Sequence, residues 1–178
     1  MSDAQFPLQD RMKFVAEIVR DAGGTIIGRT RLQKSVFLLS LAGFDDKFRF
    51  GYKHYGLFSE ALADSADLAA AFDLVSEQRK ESSWGGTYSI YSVNNLEGAD
   101  TSARGVFLRE AVASDPILLE LAATAGYLFS EEKCKEPWAK TARLKPDKSA
   151  DGRLDRAKDL YGRLRAVSGN ALPEIGSA

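Results

Sequence analysis

Apolar residues recur at intervals of three and four along much of the chain, and this spacing is typical of helices that bury one face. In the first half of the chain it predicts three helices, over residues 8–22, 30–42 and 59–72. Ser59 is a favourable N-cap for the third of these helices. The apolar face of the third helix is predicted to contain Leu62, Ala66, Ala69 and Phe72.

The second helix carries a further signal at its start, because Thr30 and Gln33 have the spacing of a capping box. In such a box each side chain satisfies a backbone N–H group of the first helical turn. Gly43 follows the last apolar position and is suited to end the helix. A short apolar piece, residues 25–27, is predicted to be extended.

Between the second and third helices the pattern changes to alternation, which predicts a strand. The apolar positions of this strand are Phe48, Phe50 and Tyr52. Gly56 is predicted to break it. Alternation returns over residues 74–80 and 86–93 and predicts an antiparallel hairpin, because the glycines at its tip permit positive φ.

The second half of the chain returns to helical spacing, and Asp100 and Asp115 are the predicted caps of its first two helices. The four predicted helices cover residues 101–113, 116–129, 137–144 and 151–167.

The order of elements predicts a mainly α fold with a small antiparallel β hairpin, in the α+β class. Three helices followed by a hairpin are typical of a winged helix, so residues 1–98 are expected to form a winged-helix-like core. Residues 99–167 are expected to form a helical portion packed on this core as one compact unit. Residues 168–178 are small and polar and are predicted to form a loose tail.

Composition and charge narrow the functional classes. The chain has 178 residues and a formal net charge of -1, so its overall charge does not favour nucleic acid. One cysteine, Cys134, and one histidine, His54, are too few for most metal sites and Cys/His dyads. No sequence motif of a hydrolase or a nucleotide-binding loop is present. We therefore expect no catalytic residue set, no metal and no cofactor.

The start of the chain lacks the basic and apolar regions of a signal peptide, and no apolar run approaches the length that spans a bilayer. A lone cysteine forms no intrachain disulfide, which fits a reducing compartment. These features predict a cytoplasmic protein without membrane association.

The histidine lies in an unusual segment, GYKHYGLFSEAL, residues 51–62. One interpretation is structural: the segment turns from a strand into a helix, and the imidazole of His54 bonds a backbone carbonyl in the core. The other interpretation is that His54 and Tyr55 contact a partner. Trp84, at the tip of the predicted hairpin, is likewise either a partner contact or a side chain folded back onto the domain.

Basic residues form a second candidate site. Arg29, Arg31 and Lys34 cluster at the start of the second helix, and Arg79 and Lys80 lie in the predicted hairpin. A helix N-terminus with arginines suits an anion or a nucleic-acid phosphate. The alternative is that these side chains only solvate an outer face.

The third helix argues against DNA recognition. Its polar residues include Glu60, Asp64 and Asp67, and no lysine or arginine occurs between Tyr55 and Gln78. Neutralisation of phosphates dominates the affinity of proteins for DNA. We therefore expect weak or no binding to duplex DNA.

Several of these segments together resemble a known group of proteins. The similarity lies in GRTRLQKSVFLL, FRFGYKHYGLFSEAL, ADLAAAFDLVSE, LELAATAGYLF and RLKPDKSADGRLDRAKDLYGRL. They look like segments of the YwgA-like uncharacterised proteins of bacteria and archaea, which are distantly similar to Panacea-type antitoxin domains. The resemblance spans roughly residues 12–164. Leu57 stands where the family's turn has proline, and Asp73 stands where glycine is common.

The resemblance implies a role through protein contacts, because Panacea-type domains neutralise toxins in that way and their relatives lie near mobile and defence genes. We expect a non-enzymatic protein-interaction module, antitoxin-like or part of a bacterial defence system, with an unknown protein partner. A homodimer is compatible with this expectation. The alternatives are a winged-helix DNA-binding transcriptional regulator and, third, a hydrolase or nuclease without a recognisable motif.

Overall fold

The computed structural model describes residues 6–53, 56–83 and 85–176. The elements of the first half are α1 (Leu8–Asp21), β1 (Thr25–Ile27), α2 (Arg29–Leu41), β2 (Gly51–Lys53), β3 (Gly56–Phe58), α3 (Glu60–Ala71), β4 (Ser76–Glu81) and β5 (Thr87–Ser92). The elements of the second half are α4 (Ala103–Ala113), α5 (Pro116–Ser130), α6 (Pro137–Leu144), α7 (Pro146–Ser149) and α8 (Arg153–Val167).

The main sheet has three antiparallel strands in the order β1-β5-β4. The predicted hairpin is confirmed as β4 and β5, with Gln78 opposite Ile90. The extended piece before α2 becomes β1 and pairs with β5, so that Ile26 lies opposite Tyr91. Helices α1 and α2 contact this sheet, and α3 packs against α1. The arrangement matches the predicted mainly α, winged-helix-like core of an α+β protein.

The segment before α3 differs from its prediction. The predicted strand begins only at Gly51, and Gly56 begins a second strand, β3, instead of ending the element. Phe48 leaves the strand pattern because its ring packs against Phe14 in the core, with 5.7 Å between the ring centroids. Gly56 has φ +98°, a conformation that glycine adopts without strain and that allows the chain to enter β3.

Helix caps are confirmed where the partner is close in the sequence. Ser59 accepts a hydrogen bond from the backbone N–H of Leu62, and Asp115 accepts one from Ile117. The predicted capping box at Thr30 is wrong, because α2 begins after Gly28 and has no side-chain cap. Asp100 is not a cap either: α4 begins after Ser102.

Helix α5 lies at the centre of the molecule and packs against α2, α6 and α8. Gly126 allows the close approach of α2, since a Cβ atom there would lie 2.8 Å from Leu41 Cδ2. The buried apolar residues of α5 are Leu119, Leu121, Ala122, Ala123, Ala125 and Leu128.

A network of polar groups joins the end of α1 to the start of α4. The buried carboxylate of Asp21 accepts hydrogen bonds from Arg104 at 2.7 Å and from the backbone N–H of Asp100 at 3.0 Å. Burial raises the pKa of the Asp21 carboxyl, but hydrogen bonds from Arg20 and Arg104 outweigh it and hold this pKa below its ordinary value. The second half of the chain is thereby fixed to the first.

The chain after α8 does not form the loose tail that its composition predicts. Leu172 and Ile175 are buried among core residues. The Tyr161 hydroxyl donates to the carbonyl oxygen of Pro173 at 2.9 Å, and Arg165 Nε donates to that of Leu172 at 3.1 Å. Two apolar side chains in a mostly polar segment are enough to bind it to α8. In the described part of the chain, no helix is both long and apolar enough to cross a membrane.

Candidate functional site

The outer face of α3 is acidic and ends in exposed apolar residues. Asp64 and Asp67 are exposed on this face, and Phe72 is the C-cap residue that follows the last turn of the helix. The sequence places Phe72 in the apolar face of the helix, but the residue is 65% exposed at the end of α3. Leu74, which is 37% exposed, extends this apolar end. We call Asp64, Asp67, Phe72, Asp73 and Leu74 the α3 face.

Part of the acidity near α3 is neutralised by neighbouring cations. Arg29 pairs with Asp67 at 2.9 Å, and Lys53 pairs with Glu60 at the start of the helix. Asp64 and Asp73 have no ion pair with any other described residue. Asp73 adopts φ +57°, a left-handed conformation that aspartate tolerates better than most residues. The centre and the end of the α3 face therefore keep their negative charge.

The five basic residues singled out in the sequence do not form one site. Arg29 and Arg79 line a groove of about 400 Å³ beside Ser89. Arg31 instead donates hydrogen bonds to the backbone carbonyls of Ile27 and Ser114.

The other two basic residues lie elsewhere. Lys34 is buried. Lys80 pairs opposite Tyr88 and projects from the other face of the hairpin than Arg79, since neighbouring residues of a strand alternate. His54, Tyr55 and Trp84 lie outside the described residues.

Arg29 and Arg79 both lie close to the carboxylate of Glu77. Glu77 lies 3.6 Å from Arg29 and 3.7 Å from Arg79, and it accepts a hydrogen bond from the Ser89 hydroxyl at 2.6 Å. Burial raises the pKa of Glu77, but the Ser89 hydrogen bond and the two arginines outweigh it and lower this pKa. A phosphate in this groove would have to compete with Glu77.

A cluster of lysines surrounds one buried carboxylate on the other side of α2. Glu120 on α5 accepts hydrogen bonds from Lys145 at 2.7 Å and from Lys148 at 2.7 and 2.8 Å. Burial raises the pKa of Glu120, but these hydrogen bonds outweigh it and hold the pKa below its ordinary value. We call Lys34, Glu120, Lys145 and Lys148 the lysine cluster.

Lys34 is the member of the cluster whose charge is least compensated. Its ammonium group donates a hydrogen bond to the backbone carbonyl of Leu57 in β3. Burial lowers the pKa of Lys34 to about 8; Glu120 opposes this change, while Lys145 and Lys148 add to it.

Gly56 lies next to the lysine cluster. A Cβ atom at this position would lie 3.2 Å from Lys145 Nζ and 3.9 Å from Glu120 Oε1. Two grooves meet at Gly56 and Lys53. One, of about 330 Å³, contains Lys34 and Glu60, and the other, of about 680 Å³, contains Lys145.

Sequence reasoning missed most of this arrangement. Gln33 was assigned to a capping box, but its amide bonds the backbone N–H and carbonyl of Ser59 at 2.9 and 3.0 Å. Lys145 follows the predicted helix 137–144 and is not among the predicted site residues. Glu120 did leave a signal, since it is the single charged residue in the apolar run ILLELAATAGYLF. A buried charge usually has a partner, so this glutamate pointed to a buried cation.

Comparisons with family models, with curated proteins and with solved structures give no match. Among the described residues there is no group of three or more histidine, cysteine, aspartate or glutamate side chains placed to hold a metal ion.

Proposed function

We propose that this protein is a non-enzymatic protein-interaction module whose α3 face docks onto a basic surface of a partner protein. The observation that carries the proposal is the exposed Phe72 next to Asp73, on a helix that also carries Asp64; neither carboxylate has an ion pair among the described residues. An exposed aromatic side chain surrounded by charge matches the anatomy of an interface, in which an apolar anchor is enclosed by a polar rim.

The charge of α3 supports a protein partner over DNA. In a winged helix the third helix is the element that enters the major groove, and a row of carboxylates there is repelled by phosphates. A partner surface that carries lysines or arginines around an apolar pocket is complementary to the same row. The resemblance to Panacea-type antitoxin domains supports a toxin or another defence component as this partner.

The test compares variants of the α3 face with matched variants elsewhere. Phe72→Ala and Asp64→Lys are the test variants. Leu8→Ala also shortens an exposed apolar side chain to alanine, and Glu97→Lys also reverses an exposed charge, at positions away from α3. A partner captured from the source cell would be purified, and its affinity for all five proteins measured by calorimetry.

We expect each test variant to weaken the complex by at least tenfold, with little change in melting temperature, and each control to leave the affinity within about twofold. Equal affinity of the partner for the test and control variants would show that α3 does not carry the interface.

A DNA-binding regulator is the second candidate, favoured by the winged-helix arrangement and by Arg79 and Lys80 in the hairpin. Fluorescence anisotropy with duplex DNA at physiological salt tests it. We expect a dissociation constant of about 10⁻⁴ to 10⁻⁶ M, the range of non-specific binding. Nanomolar binding that depends on sequence, and that Arg79→Ala and Lys80→Ala each weaken, would replace the first proposal.

A further inference from the structure

The larger groove at Gly56 combines positive charge with an apolar wall. It is lined by Tyr52, Lys53, Gly56, Leu144 and Lys145 and has a volume of about 680 Å³. Small-molecule sites have volumes of about 300–1,000 Å³. Among the described residues that line the groove there are two ammonium groups and no carboxylate.

We infer that this groove binds a small organic phosphate monoester, with the phosphate between Lys53 and Lys145 and the organic group against Tyr52 and Leu144. This site lies apart from the α3 face and does not depend on the function proposed for that face.

The charge balance behind the groove supports a dianion. In the lysine cluster, three ammonium groups share one carboxylate, which leaves an excess of two positive charges. An excess of like charge in a partly buried cluster is unfavourable, and a phosphate monoester carries a charge of about −1.5 to −2 at neutral pH. A bound phosphate would therefore offset most of the excess.

The geometry leaves Lys145 available to such a ligand. An ammonium group has three donors; Glu120 accepts from one of them, and the Tyr52 side chain also interacts with this ammonium group, which leaves a donor for a ligand. Gly56 leaves the space next to Lys145 Nζ open, where a Cβ atom would lie only 3.2 Å away. Lys53 is 52% exposed, and its ion pair with the exposed Glu60 of the adjoining groove is a surface pair of small net stability, so a phosphate can compete for its ammonium group.

The apolar wall favours an organic phosphate over the inorganic ion. The Tyr52 ring lies 5.7 Å from Lys145 Nζ, and Leu144 is exposed at the edge of the groove. An aromatic group on the ligand would cover both side chains, and its burial would add to the electrostatic attraction.

Calorimetric titration with phenyl phosphate and with inorganic phosphate tests the inference. We expect phenyl phosphate to bind at least fivefold more tightly than inorganic phosphate. Lys53→Gln and Lys145→Gln should each weaken phenyl phosphate binding by at least fivefold. Lys140→Gln is the matched control, because Lys140 forms an exposed ion pair with Glu132 as Lys53 does with Glu60. It should leave the affinity unchanged.

Three results would overturn the inference. The first is no measurable binding of phenyl phosphate to the wild-type protein. The second is equal loss in Lys53→Gln and Lys140→Gln, which would indicate attraction by surface charge alone. The third is equal affinity for the two phosphates, which would remove the role of Tyr52 and Leu144. Lys53→Gln decides the test if Lys145→Gln fails to fold, because Lys53 is exposed.

A second readout locates the phosphate relative to Lys34. At pH 8 about half of the Lys34 side chains are neutral, so a nearby dianion should raise the pKa and draw a fraction of a proton onto each molecule. Titrations at this pH in buffers of different ionisation enthalpy measure the uptake, since phenyl phosphate is itself fully ionised there. The groups that face Lys34 or line the adjoining groove are Glu120, Lys145, Lys148, Arg29, Lys53 and Glu60.

Lys34→Met should remove this uptake. Zero uptake by the wild-type protein would place the bound phosphate away from the lysine cluster and would contradict the inference.

Discussion

The buried ammonium group of Lys34 lowers the stability of the folded protein when it is charged. Burial lowers the pKa of its ammonium group to about 8, whereas the ordinary value is 10.5. Between these two pH values the unfolded chain binds more protons than the folded one, so the contribution of Lys34 to the free energy of unfolding rises with pH. Below pH 8 the charged side chain lowers the free energy of unfolding, by roughly 3 kcal/mol if the pKa difference is converted directly.

We predict that Lys34→Met raises the free energy of unfolding at pH 7, because methionine occupies a similar volume without charge. The lost hydrogen bond to Leu57 reduces the gain by about 1 kcal/mol at every pH and does not change its slope. The advantage of the variant should shrink as the pH rises from 8 to 10.5. Urea unfolding of both proteins across this range measures it.

Lys80→Met, at an exposed position of the hairpin, serves as the control. An advantage of Lys34→Met that stays constant between pH 7 and pH 10.5 would show that Lys34 does not titrate in this window.

At the scale of elements, the start of α3 is held by one local and two long-range interactions. The local one is the Ser59 cap, 3.3 Å from the backbone N–H of Leu62. The long-range ones involve the buried Gln33 amide, whose Nε2 donates to the carbonyl of Ser59 and whose Oε1 accepts from the backbone N–H of Ser59. Through Gln33, α2 therefore fixes both the position and the entry angle of α3.

We predict that Gln33→Leu destabilises the protein more than Ser59→Ala does. Ser59→Ala should cost about 1 kcal/mol, the usual loss of an N-cap. Gln33→Leu leaves a buried N–H and a buried carbonyl without their partner, at about 1–3 kcal/mol for each group. Chemical denaturation of the two variants gives both values. A smaller loss in Gln33→Leu would show that water replaces the amide, and that the contact does not hold α3.

The contrast between local and long-range contacts also explains which features of the structure could be predicted from the sequence. The caps at Ser59 and Asp115 and the β4–β5 hairpin were predictable, because their partners lie a few residues away. The partner of Gln33 lies 26 residues away, and a capping box was the nearer explanation for the same amide.

The exposure of Phe72 and the contacts of the lysine cluster were likewise not predictable from nearby residues in the sequence. The helical period places Phe72 in the apolar face of α3. However, α3 ends at Ala71, so the ring of Phe72 is exposed to solvent. The cluster joins Lys34 to residues more than 80 positions away. The sequence predicts Lys34 as an anion contact together with Arg29 and Arg31, and nothing near it in the chain indicates Glu120 as its partner.

At the scale of the whole molecule, a net charge of -1 conceals regions of opposite sign. Carboxylates without ion pairs among the described residues lie on the α3 face, and surplus ammonium groups lie around Glu120. Both proposals rest on this separation: a basic protein surface suits the first region and a phosphate suits the second. Since salt screens exposed charge more than buried charge, added salt should weaken the partner complex more steeply than the phosphate complex.

A substitution after α8 can test whether the segment up to residue 176 unfolds cooperatively with the rest of the molecule. Leu172 is fully buried, and its backbone N–H donates to Ser168 Oγ at 3.2 Å. We predict that Leu172→Ala lowers the free energy of unfolding by about 2–3 kcal/mol, at the low end for a buried leucine because a terminal segment can relax into the cavity. Leu96→Ala is the control, since Leu96 is largely exposed.

Urea denaturation followed by circular dichroism measures both variants. If the residues after Val167 were the loose tail that their composition predicts, Leu172→Ala would unfold at the same urea concentration as the wild-type protein. A loss in Leu172→Ala alone, with an unchanged slope of unfolding free energy against urea, would show that the segment belongs to the core and unfolds together with it.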